Sequence, residues 1–430
     1  MKQKPSLARV VAILSVPLVA FCPAEESKSS HFMEVPANDQ GLPGSGPLRH
    51  ADWFTNLWKQ RRGEWANHVE KDQGAVVFLG DSITQGWGDS MGGNFKGLKV
   101  ANRGISGDTT RGMLIRLPGD VLQLKPRGVV MLMGTNDLEE NAAPETIAAN
   151  MGLILDELSK ANASLPIIIC EIFPSSSSKA RPADKIKKAN ELIYNLAKDR
   201  KNVTVVDTWT LFADAQGDAK PAEFPDVLHP NELGYAKWAA ALRPIFATLG
   251  WVETEAADFK LEDGYVSLIN GKDLSGWGFR DGEGKIAESF DGKSLSSDGR
   301  YLVQNGKIIV TTPSTRSKLA QLYTTREFPK NFTLKLEFRA SPNADSGVFL
   351  RKPQLQCRDY PLAGPYKTLT KYKAQDWNEM EVVVKANIAH CTCNGEVLEA
   401  ALALAPTGPI GLEGDRGQME YRRIRIKEDP

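Results

Sequence analysis

Histidine, cysteine and net charge are all scarce in this 430-residue chain. It has five histidines and five cysteines, and its 53 lysines and arginines balance 53 aspartates and glutamates. This balance excludes an overall basic field, so we expect no nucleic-acid partner. Cys391 and Cys393 beside His390 lack a fourth ligand for zinc, so no metal or other cofactor is predicted. Because histidine is rare, a histidine near the end of a strand becomes a candidate catalytic base.

Long apolar runs are also missing. A permanent membrane span needs about 20 consecutive apolar residues, and no stretch of this sequence reaches that length. Basic side chains among the first nine residues precede an apolar stretch of about a dozen residues at 10–21, the pattern of a secretory signal. We predict a signal peptide over 1–24, a flexible leader over 25–50, and export to the periplasm or the medium. Lipidation of Cys22 is disfavoured, since Phe21 stands where that processing needs a small residue.

Export permits disulfide bonds, and three of the cysteines lie in the C-terminal part of the chain. We expect one bridge from Cys357 to either Cys391 or Cys393, and the spacing does not choose between these partners. Cys170 ends an apolar run and is predicted to be a buried thiol.

Alternating strand and helix patterns fill the region 51–250. Short, wholly apolar runs of the buried parallel-strand kind occur at 75–79, 98–101, 128–133, 166–172 and 203–206. Helical patterns lie between them, for example at 146–158 and 183–197. The sequence therefore predicts a three-layer α/β domain with a parallel sheet covered on both faces.

After a linker at 251–262 the helical period disappears. Asn-Gly pairs begin at Asn270, Asn305 and Asn394, and such pairs favour tight hairpin turns. Apolar and polar side chains alternate over 332–339, as in a strand with one buried face. Residues 263–430 are therefore predicted to form an all-β jelly-roll sandwich.

Ser82 follows the first buried run directly, within the pentapeptide Gly-Asp-Ser-Ile-Thr at 80–84. Open α/β sheets place their active sites at this carboxyl end of the strands. Alone, the pentapeptide fits a capped helix start equally well. Ser90 lies in a G-x-S-x-G match at 88–92, but no core strand precedes it, so it is predicted to be a loop residue.

His229 is the one histidine placed at the end of the α/β region. Asp226 precedes it by three residues, a spacing at which one tight turn brings carboxylate and imidazole together. Such a contact fixes the tautomer of the base and stabilises its charged form. The sequence thus favours His229 as the base that activates Ser82, over a turn that only begins a helix.

Two further loops follow core strands, at 102–111 and 134–137. They contain Gly104 and Asn136, whose backbone and amide N–H groups suit an oxyanion. Together with the segments around Ser82 and His229, these loops resemble the signature blocks of the SGNH, or GDSL-type, hydrolases. The resemblance covers about 175 residues and implies a flavodoxin-like fold.

The resemblance implies a role for each block. Ser82 is the nucleophile, Asp226 and His229 complete the triad, and no cofactor is needed. The N–H groups of Ser82 and Gly104 and the side chain of Asn136 form the oxyanion hole.

The sequence GISGDTTR at 104–111 is most similar to the platelet-activating-factor acetylhydrolase-like branch of these hydrolases. That branch usually removes short acyl groups, often acetyl. Asp137 stands where the branch often has a second asparagine, and we expect activity to survive this change.

Three segments of the C-terminal half, at 268–277, 345–351 and 408–412, resemble the 3-keto-disaccharide hydrolase family, a concanavalin-like jelly roll. That family usually has an acidic residue where this chain has Gln354, two before Gln356. Because glutamine is neither a general acid nor a general base, the resemblance favours a sugar-binding or positioning role.

Five residues of this half are candidate carbohydrate contacts. The glutamines supply amides and the aromatic rings supply stacking surfaces, although each ring also fits simple core packing. The candidates are Trp277, Gln354, Gln356, Tyr360 and Tyr366.

These observations predict an exported serine esterase that removes short acyl groups, acetyl above all, from a small-molecule or polysaccharide substrate. A lipid or phospholipid esterase is the alternative, as is a bifunctional enzyme whose C-terminal domain hydrolyses glycosides. A structural module that joins the esterase to a cell-surface assembly is a third possibility for the C-terminal half. The sequence indicates no oligomeric state.

Overall fold

A computed structural model describes residues 33–252, 259–311 and 320–430 of the chain. The predicted signal peptide at 1–24, Cys22, the leader up to residue 32 and residues 253–258 of the linker lie outside these ranges. None of the helices within the ranges is long and apolar enough to cross a membrane.

The first half contains a five-stranded parallel sheet with strand order β2-β1-β3-β4-β5. Its strands are β1 (Val76–Gly80), β2 (Val100–Gly104), β3 (Gly128–Leu132), β4 (Ile167–Cys170) and β5 (Val203–Val206). The helices are α1 (Asp52–Ala66), α2 (Val69–Asp72), α3 (Ser82–Gly86), α4 (Thr110–Asp120), α5 (Thr135–Glu139), α6 (Pro144–Ala161), α7 (Ala183–Ala197), α8 (Thr208–Phe212) and α9 (Glu232–Thr248). The predicted parallel sheet is confirmed.

Both faces of this sheet are buried, because its side chains alternate between two separate cores. Val77 and Leu79 of β1 pack with α4, α6 and α7, whereas Val76 and Phe78 pack with α9. Each such side chain contributes about 1.5–3 kcal/mol to folding when fully buried. Helices therefore cover both faces of the sheet and form a three-layer arrangement. The carboxyl ends of the strands lead into the loops that connect strands to helices.

A buried charged network supports the loops beyond β1 and β2. The Arg116 guanidinium is fully buried and donates to Asp108 Oδ2 at 2.7 Å, to the Gly80 carbonyl at 3.1 Å and to the Arg103 carbonyl at 2.8 Å. It also pairs with Asp120 at 3.3 Å. These contacts supply side-chain donors to two carbonyl groups at the end of the sheet and tie β1 and β2 to α4.

Part of the predicted flexible leader is fixed to the α/β body. Ser45 exchanges two hydrogen bonds with the Asn150 side chain, at 3.0 and 2.8 Å. The Pro47 carbonyl accepts from Thr109 Oγ1 at 2.7 Å, and Arg49 pairs with Glu140 at 2.8 Å. In the stretch 45–49 of the predicted flexible leader, the backbone of Ser45 and Pro47 is thus hydrogen-bonded to the side chains of Asn150 and Thr109 of the α/β half.

The C-terminal half forms two packed antiparallel sheets. The first has the order β17-β16-β15-β12-β19-β10-β9 with β6 also paired to β19, and the second has the order β14-β13-β18-β11-β7-β8. The strands are β6 (Val266–Ser267), β7 (Trp277–Arg280), β8 (Ile286–Ser289), β9 (Tyr301–Gln304), β10 (Lys307–Val310), β11 (Leu322–Thr324), β12 (Phe332–Ala340), β13 (Gly347–Leu350), β14 (Gln354–Gln356), β15 (Asn378–Lys385), β16 (Ile388–Cys393), β17 (Glu396–Ala403), β18 (Ile410–Leu412) and β19 (Met419–Glu428), with helix α10 (Tyr360–Ala363). Alternate apolar residues of β12 are buried between the sheets, as the sequence predicts. The all-β sandwich is confirmed.

The expected disulfide is absent from the described residues. Cys357, Cys391 and Cys393 are free thiols, all buried in the core of the sandwich, and Cys170 is a buried free thiol as predicted. Cys391 and Cys393 lie two residues apart on β16, where they pack as small apolar side chains.

The two halves contact each other through polar groups. Asn343 donates to Asp207 Oδ2 at 2.7 Å, directly after β5. Gln418 donates to Thr248 Oγ1 at 2.9 Å and to the Pro244 carbonyl at 3.3 Å on α9. The sandwich therefore touches the α/β half at one strand end and along the last helix.

Candidate active site

Ser82 is the first residue of α3, and only Asp81 separates it from the end of β1. The Asp81 carboxylate accepts the Ile83 N–H at 2.9 Å and so caps this short helix. Tyr235 of α9 donates to the Ile83 carbonyl at 2.8 Å, which fixes the helix from the other side. The serine hydroxyl is thereby held at the carboxyl edge of the sheet, the position that the sequence predicts for a nucleophile.

The side chains of Ser82, His229 and Asp226 form a line of hydrogen-bonded groups. Ser82 Oγ lies 3.0 Å from His229 Nε2, and His229 Nδ1 lies 2.8 Å from Asp226 Oδ2. These distances permit a proton to pass from the hydroxyl to the imidazole, with the carboxylate facing the far nitrogen. The imidazole is 44% exposed, so substrate can approach it from solvent.

The Asp226 carboxylate is held in its charged form. Partial burial alone would raise its pKa, but N–H groups of His229 and Leu228 and the His229 ring lower the pKa to about 2. Asp226 Oδ1 accepts the backbone N–H of His229 at 2.7 Å and that of Leu228 at 3.1 Å. A carboxylate in this state stabilises an imidazolium on the neighbouring ring.

The turn that carries these two residues has a strained backbone. Val227 adopts a φ of 56°, a region that β-branched residues rarely enter. Its N–H donates to the Phe224 carbonyl at 2.9 Å, and its own carbonyl accepts from Ser175 at 2.8 Å. Both bonds hold the turn in this conformation, which positions Asp226 beside His229.

Asn136 lies in α5, just beyond β3, and its side-chain amide is fixed at both ends. Arg181 Nη2 donates to Asn136 Oδ1 at 3.1 Å, and Asn136 Nδ2 donates to the Asp108 carbonyl at 2.9 Å. Because a guanidinium only donates and a carbonyl only accepts, the amide has one consistent orientation. Its second Nδ2–H has no acceptor among the described residues and is available to a ligand.

The structure contradicts the assignment of the Gly104 N–H as an oxyanion donor. That N–H donates at 2.8 Å to Asn102 Oδ1, a buried side chain that also bonds to the carbonyls of Thr84 and Gly88. Gly107, three residues further along, has a φ of 85°. No described residue accepts a hydrogen bond from its N–H.

The loop that contains Gly107 lies between the Ser82 helix and Asn136. Ser106 donates to Gln85 Oε1 of α3 through its N–H at 2.7 Å and its hydroxyl at 2.9 Å. The Asp108 carbonyl receives the Asn136 amide. Gly107 is thus the glycine of this loop with an N–H that remains open to a ligand.

Asp137 has a structural role beside the oxyanion groups. It is fully buried and accepts the N–H and hydroxyl of Thr110 at 2.9 and 2.5 Å. Burial raises its pKa to about 6 despite these bonds. This carboxyl fastens the first turn of α4 to α5.

The five predicted carbohydrate contacts differ in how far the structure buries them. Trp277 and Tyr360 are fully buried in the sandwich core, so the prediction that they stack on sugars is wrong. Tyr366 packs against the same core and donates to Glu399 at 2.6 Å. Gln354 and Gln356 of β14 are partly exposed, and the Gln354 amide contacts the Glu413 carboxylate.

Sequence reasoning missed two residues of the site, Arg181 and Gly107. Arg181 is 2% exposed and lies in a loop without any motif, and its partners are about 45 positions away in the chain. No local sequence pattern predicts a contact between residues so far apart in the chain. Gly107 was within the recognised segment 104–111, and the sequence alone does not show that Asn102 occupies the N–H of Gly104.

Comparisons with known proteins show which families the two halves of the chain are similar to. Residues 78–237 match the GDSL-like lipase/acylhydrolase family, and residues 264–427 match the 3-keto-alpha-glucoside-1,2-lyase-like domain. The platelet-activating factor acetylhydrolase IB subunit alpha2 of Homo sapiens is 28% identical over 199 residues, which cover 45% of this chain and 84% of that protein.

Two further comparisons cover the same half. The thioesterase 1/protease 1/lysophospholipase L1 of Escherichia coli strain K12 is 32% identical over 97 residues, 20% of this chain and 47% of the relative. The crystal structure of a GDSL-like lipase from Bacteroides thetaiotaomicron is 27% identical, with a TM-score of 0.39, and the match covers 43% of this chain and 97% of that one.

Proposed function

Because this chain carries a GDSL-type acylhydrolase domain followed by a 3-keto-disaccharide hydrolase-like domain, we propose that it is a serine esterase for acetylated carbohydrate. One observation carries the catalytic part of this proposal. Ser82 Oγ lies 3.0 Å from His229 Nε2, and the other ring nitrogen lies 2.8 Å from Asp226. Nucleophile, base and orienting carboxylate therefore have the distances that acyl transfer requires.

The reaction takes two steps. Ser82 Oγ attacks the ester carbonyl while His229 Nε2 accepts the hydroxyl proton. The tetrahedral intermediate then breaks its carbon–oxygen bond to the alcohol, and His229 gives the proton to the leaving oxygen. Water attacks the acyl-serine by the same route and releases the acid.

We assign the oxyanion hole to three N–H groups. Asn136 offers its second Nδ2–H, and Ser82 its backbone N–H at the first position of α3. We assign the third donor to Gly107 instead of Gly104, because the Gly104 N–H is already bonded to Asn102. Donors fixed in advance, as Asn136 is, stabilise developing charge without reorganisation during the reaction.

The proposed acyl group and the proposed alcohol are each supported by a separate observation. A relative is named an acetylhydrolase, and GISGDTTR at 104–111 is similar to that branch. A sugar as the alcohol is supported by the family of the C-terminal domain. We also propose export, which the residues at 1–24 support.

The test compares the full chain with its Ser82→Ala variant on p-nitrophenyl acetate and on acetylated xylan. We expect Ser82→Ala to lower kcat by about 10⁴-fold or more and to leave the thermal unfolding temperature unchanged. Ser90→Ala is the matched control, because Ser90 is exposed in a neighbouring loop, and it should retain full activity. Full turnover by Ser82→Ala would overturn the assignment, and a preference for long acyl chains would favour lipid esters.

A second activity in the C-terminal domain is favoured by one contact. The Gln354 amide, at the position where the family usually has an acid, bonds to the Glu413 carboxylate. Burial, with Asp415 and Asp345 nearby, raises the pKa of Glu413, as suits a general acid. Cleavage of a 3-keto-glucoside by the Ser82→Ala variant, and its loss in Glu413→Gln, would support a bifunctional enzyme. The absence of cleavage would leave a binding role.

A further inference from the structure

Trp53, in the first turn of α1, is the tryptophan of the described residues that faces solvent most fully. Its side chain is 52% exposed, whereas Trp58, five residues later on the same helix, is completely buried. An exposed indole places a large apolar face in contact with water, which is unfavourable. Trp53 is not one of the buried residues of the small core that contains Phe54 and Trp58.

The exposed ring is nevertheless held in place. The Arg49 guanidinium lies 5.7 Å from its centroid, and Phe54 meets it edge-on at 5.8 Å. Arg49 is itself bonded to the carboxylates of Glu139 and Glu140 at the end of α5. A side chain clamped in this way presents a surface with little conformational entropy to lose on binding.

The ring lies beside the proposed oxyanion hole. A Cβ atom on Gly107 would come within 2.4 Å of Trp53 Cη2, so the indole rests directly on this glycine. The next residue is Asp108, whose carbonyl is 2.9 Å from the Asn136 amide nitrogen. An ester carbonyl bound by these donors would thus place its attached groups near the indole face.

We propose that Trp53 is a stacking platform for the sugar ring of the ester substrate, an inference that rests on the proposed esterase function. The C–H face of a pyranose packs on an indole, and its hydroxyl groups need polar partners at the edge. Arg49, which lies over the indole ring, and the carboxylates of Glu139 and Glu140 that pair with it supply donors and acceptors near the platform. An acyl chain has no polar groups to pair with these charged side chains. A sugar has both an apolar face and hydroxyl groups, so it fits this surface better.

The test uses two acetyl esters that differ in the alcohol. Glucose pentaacetate carries a sugar ring, and ethyl acetate carries none, whereas an aryl ester could itself stack on the indole. We expect Trp53→Ala in the full chain to lower kcat/KM for glucose pentaacetate about tenfold, mainly through KM. For ethyl acetate kcat/KM should stay within about twofold. Trp53→Phe should fall between.

Leu153→Ala is the matched control, since Leu153 is an exposed apolar residue on α6, 41% exposed. It should leave both substrates unaffected. Equal losses on both substrates in Trp53→Ala would overturn the proposal, because the ring would then only support the Gly107 loop. No loss on either, or a loss confined to p-nitrophenyl octanoate, would overturn it as well.

The proposed function fails by a different readout. If Ser82→Ala retains ethyl acetate hydrolysis, the esterase assignment is wrong whatever Trp53 does. If the wild-type chain cleaves ethyl acetate through Ser82 but leaves glucose pentaacetate intact, the esterase stands and the sugar platform is overturned.

Discussion

The Arg181→Met substitution tests how the oxyanion donor is held. Arg181 Nη2 donates to Asn136 Oδ1 at 3.1 Å, and its Nε donates at 3.0 Å to the carbonyl and the hydroxyl of Thr135. Methionine keeps an unbranched apolar stem and removes every donor. The Asn136 amide then keeps one anchor, the Asp108 carbonyl, and is free to rotate towards orientations that present Oδ1 to the substrate.

The size of the effect follows from the bond that is lost. A hydrogen bond from a charged donor contributes about 1.5–3 kcal/mol, and each 1.4 kcal/mol corresponds to about tenfold in rate. We therefore expect kcat to fall between about tenfold and a hundredfold. Complete removal of the donor in Asn136→Ala sets the limit, about 10²–10³-fold. KM should change little, because the oxyanion contact strengthens only in the transition state.

A double-mutant cycle, assayed with ethyl acetate, tests whether Arg181 acts through Asn136. If Arg181 acts through Asn136, Arg181→Met should add less than about twofold to the loss in an Asn136→Ala background. Arg200→Met is the matched control, because it removes a cation paired with Asp156 on the far side of the α/β body. Multiplicative losses in the double variant would refute the reasoning, and so would a wild-type kcat in Arg181→Met.

Three further predictions concern the triad, a buried acid and the cysteines. Asp226→Asn should lower kcat about 10²–10³-fold, less than for a buried triad because this carboxylate is 45% exposed, and a loss under threefold on p-nitrophenyl acetate would contradict it. Burial raises the pKa of Asp81 to about 7, above its value of about 3.9 in the unfolded chain, so its contribution to stability is present below pH 4 and lost as the pH rises through 7. Asp81→Asn should therefore gain up to about 4 kcal/mol relative to wild type between pH 4 and pH 8 in urea unfolding, and an equal difference at both pH values would count against this. Dithiothreitol should leave the thermal unfolding temperature unchanged, because the described cysteines are free thiols; a drop would reveal a disulfide.

Much of the site was predictable because its signals are local. Strands buried on both faces must be wholly apolar, so β1 and the position of Ser82 after it are visible in the sequence. Asp226 and His229 are three residues apart, and one turn joins them. Their contact therefore needs no knowledge of the tertiary structure.

The remaining features depend on competition between distant groups. Gly104 and Gly107 are both glycines of one loop, and only the Asn102 side chain decides which N–H stays open. Trp277 and Tyr360 are aromatic residues in a predicted sandwich, and only packing shows that they are fully buried. A pattern of residue types states what a side chain can do, whereas burial and hydrogen-bond partners determine what it does.

The segment before α1 is linked to the candidate active site by ion pairs. Arg49 from this segment and Arg181 from the loop after β4 both pair with Glu139, the last residue of α5. Although partial burial alone would raise the pKa of Glu139, the two guanidinium groups lower it, so the carboxylate stays charged between them. Arg49 supports Trp53, and Arg181 orients Asn136. One carboxylate therefore links the residue beneath the proposed sugar platform to the residue that orients the proposed oxyanion donor, through two charged contacts.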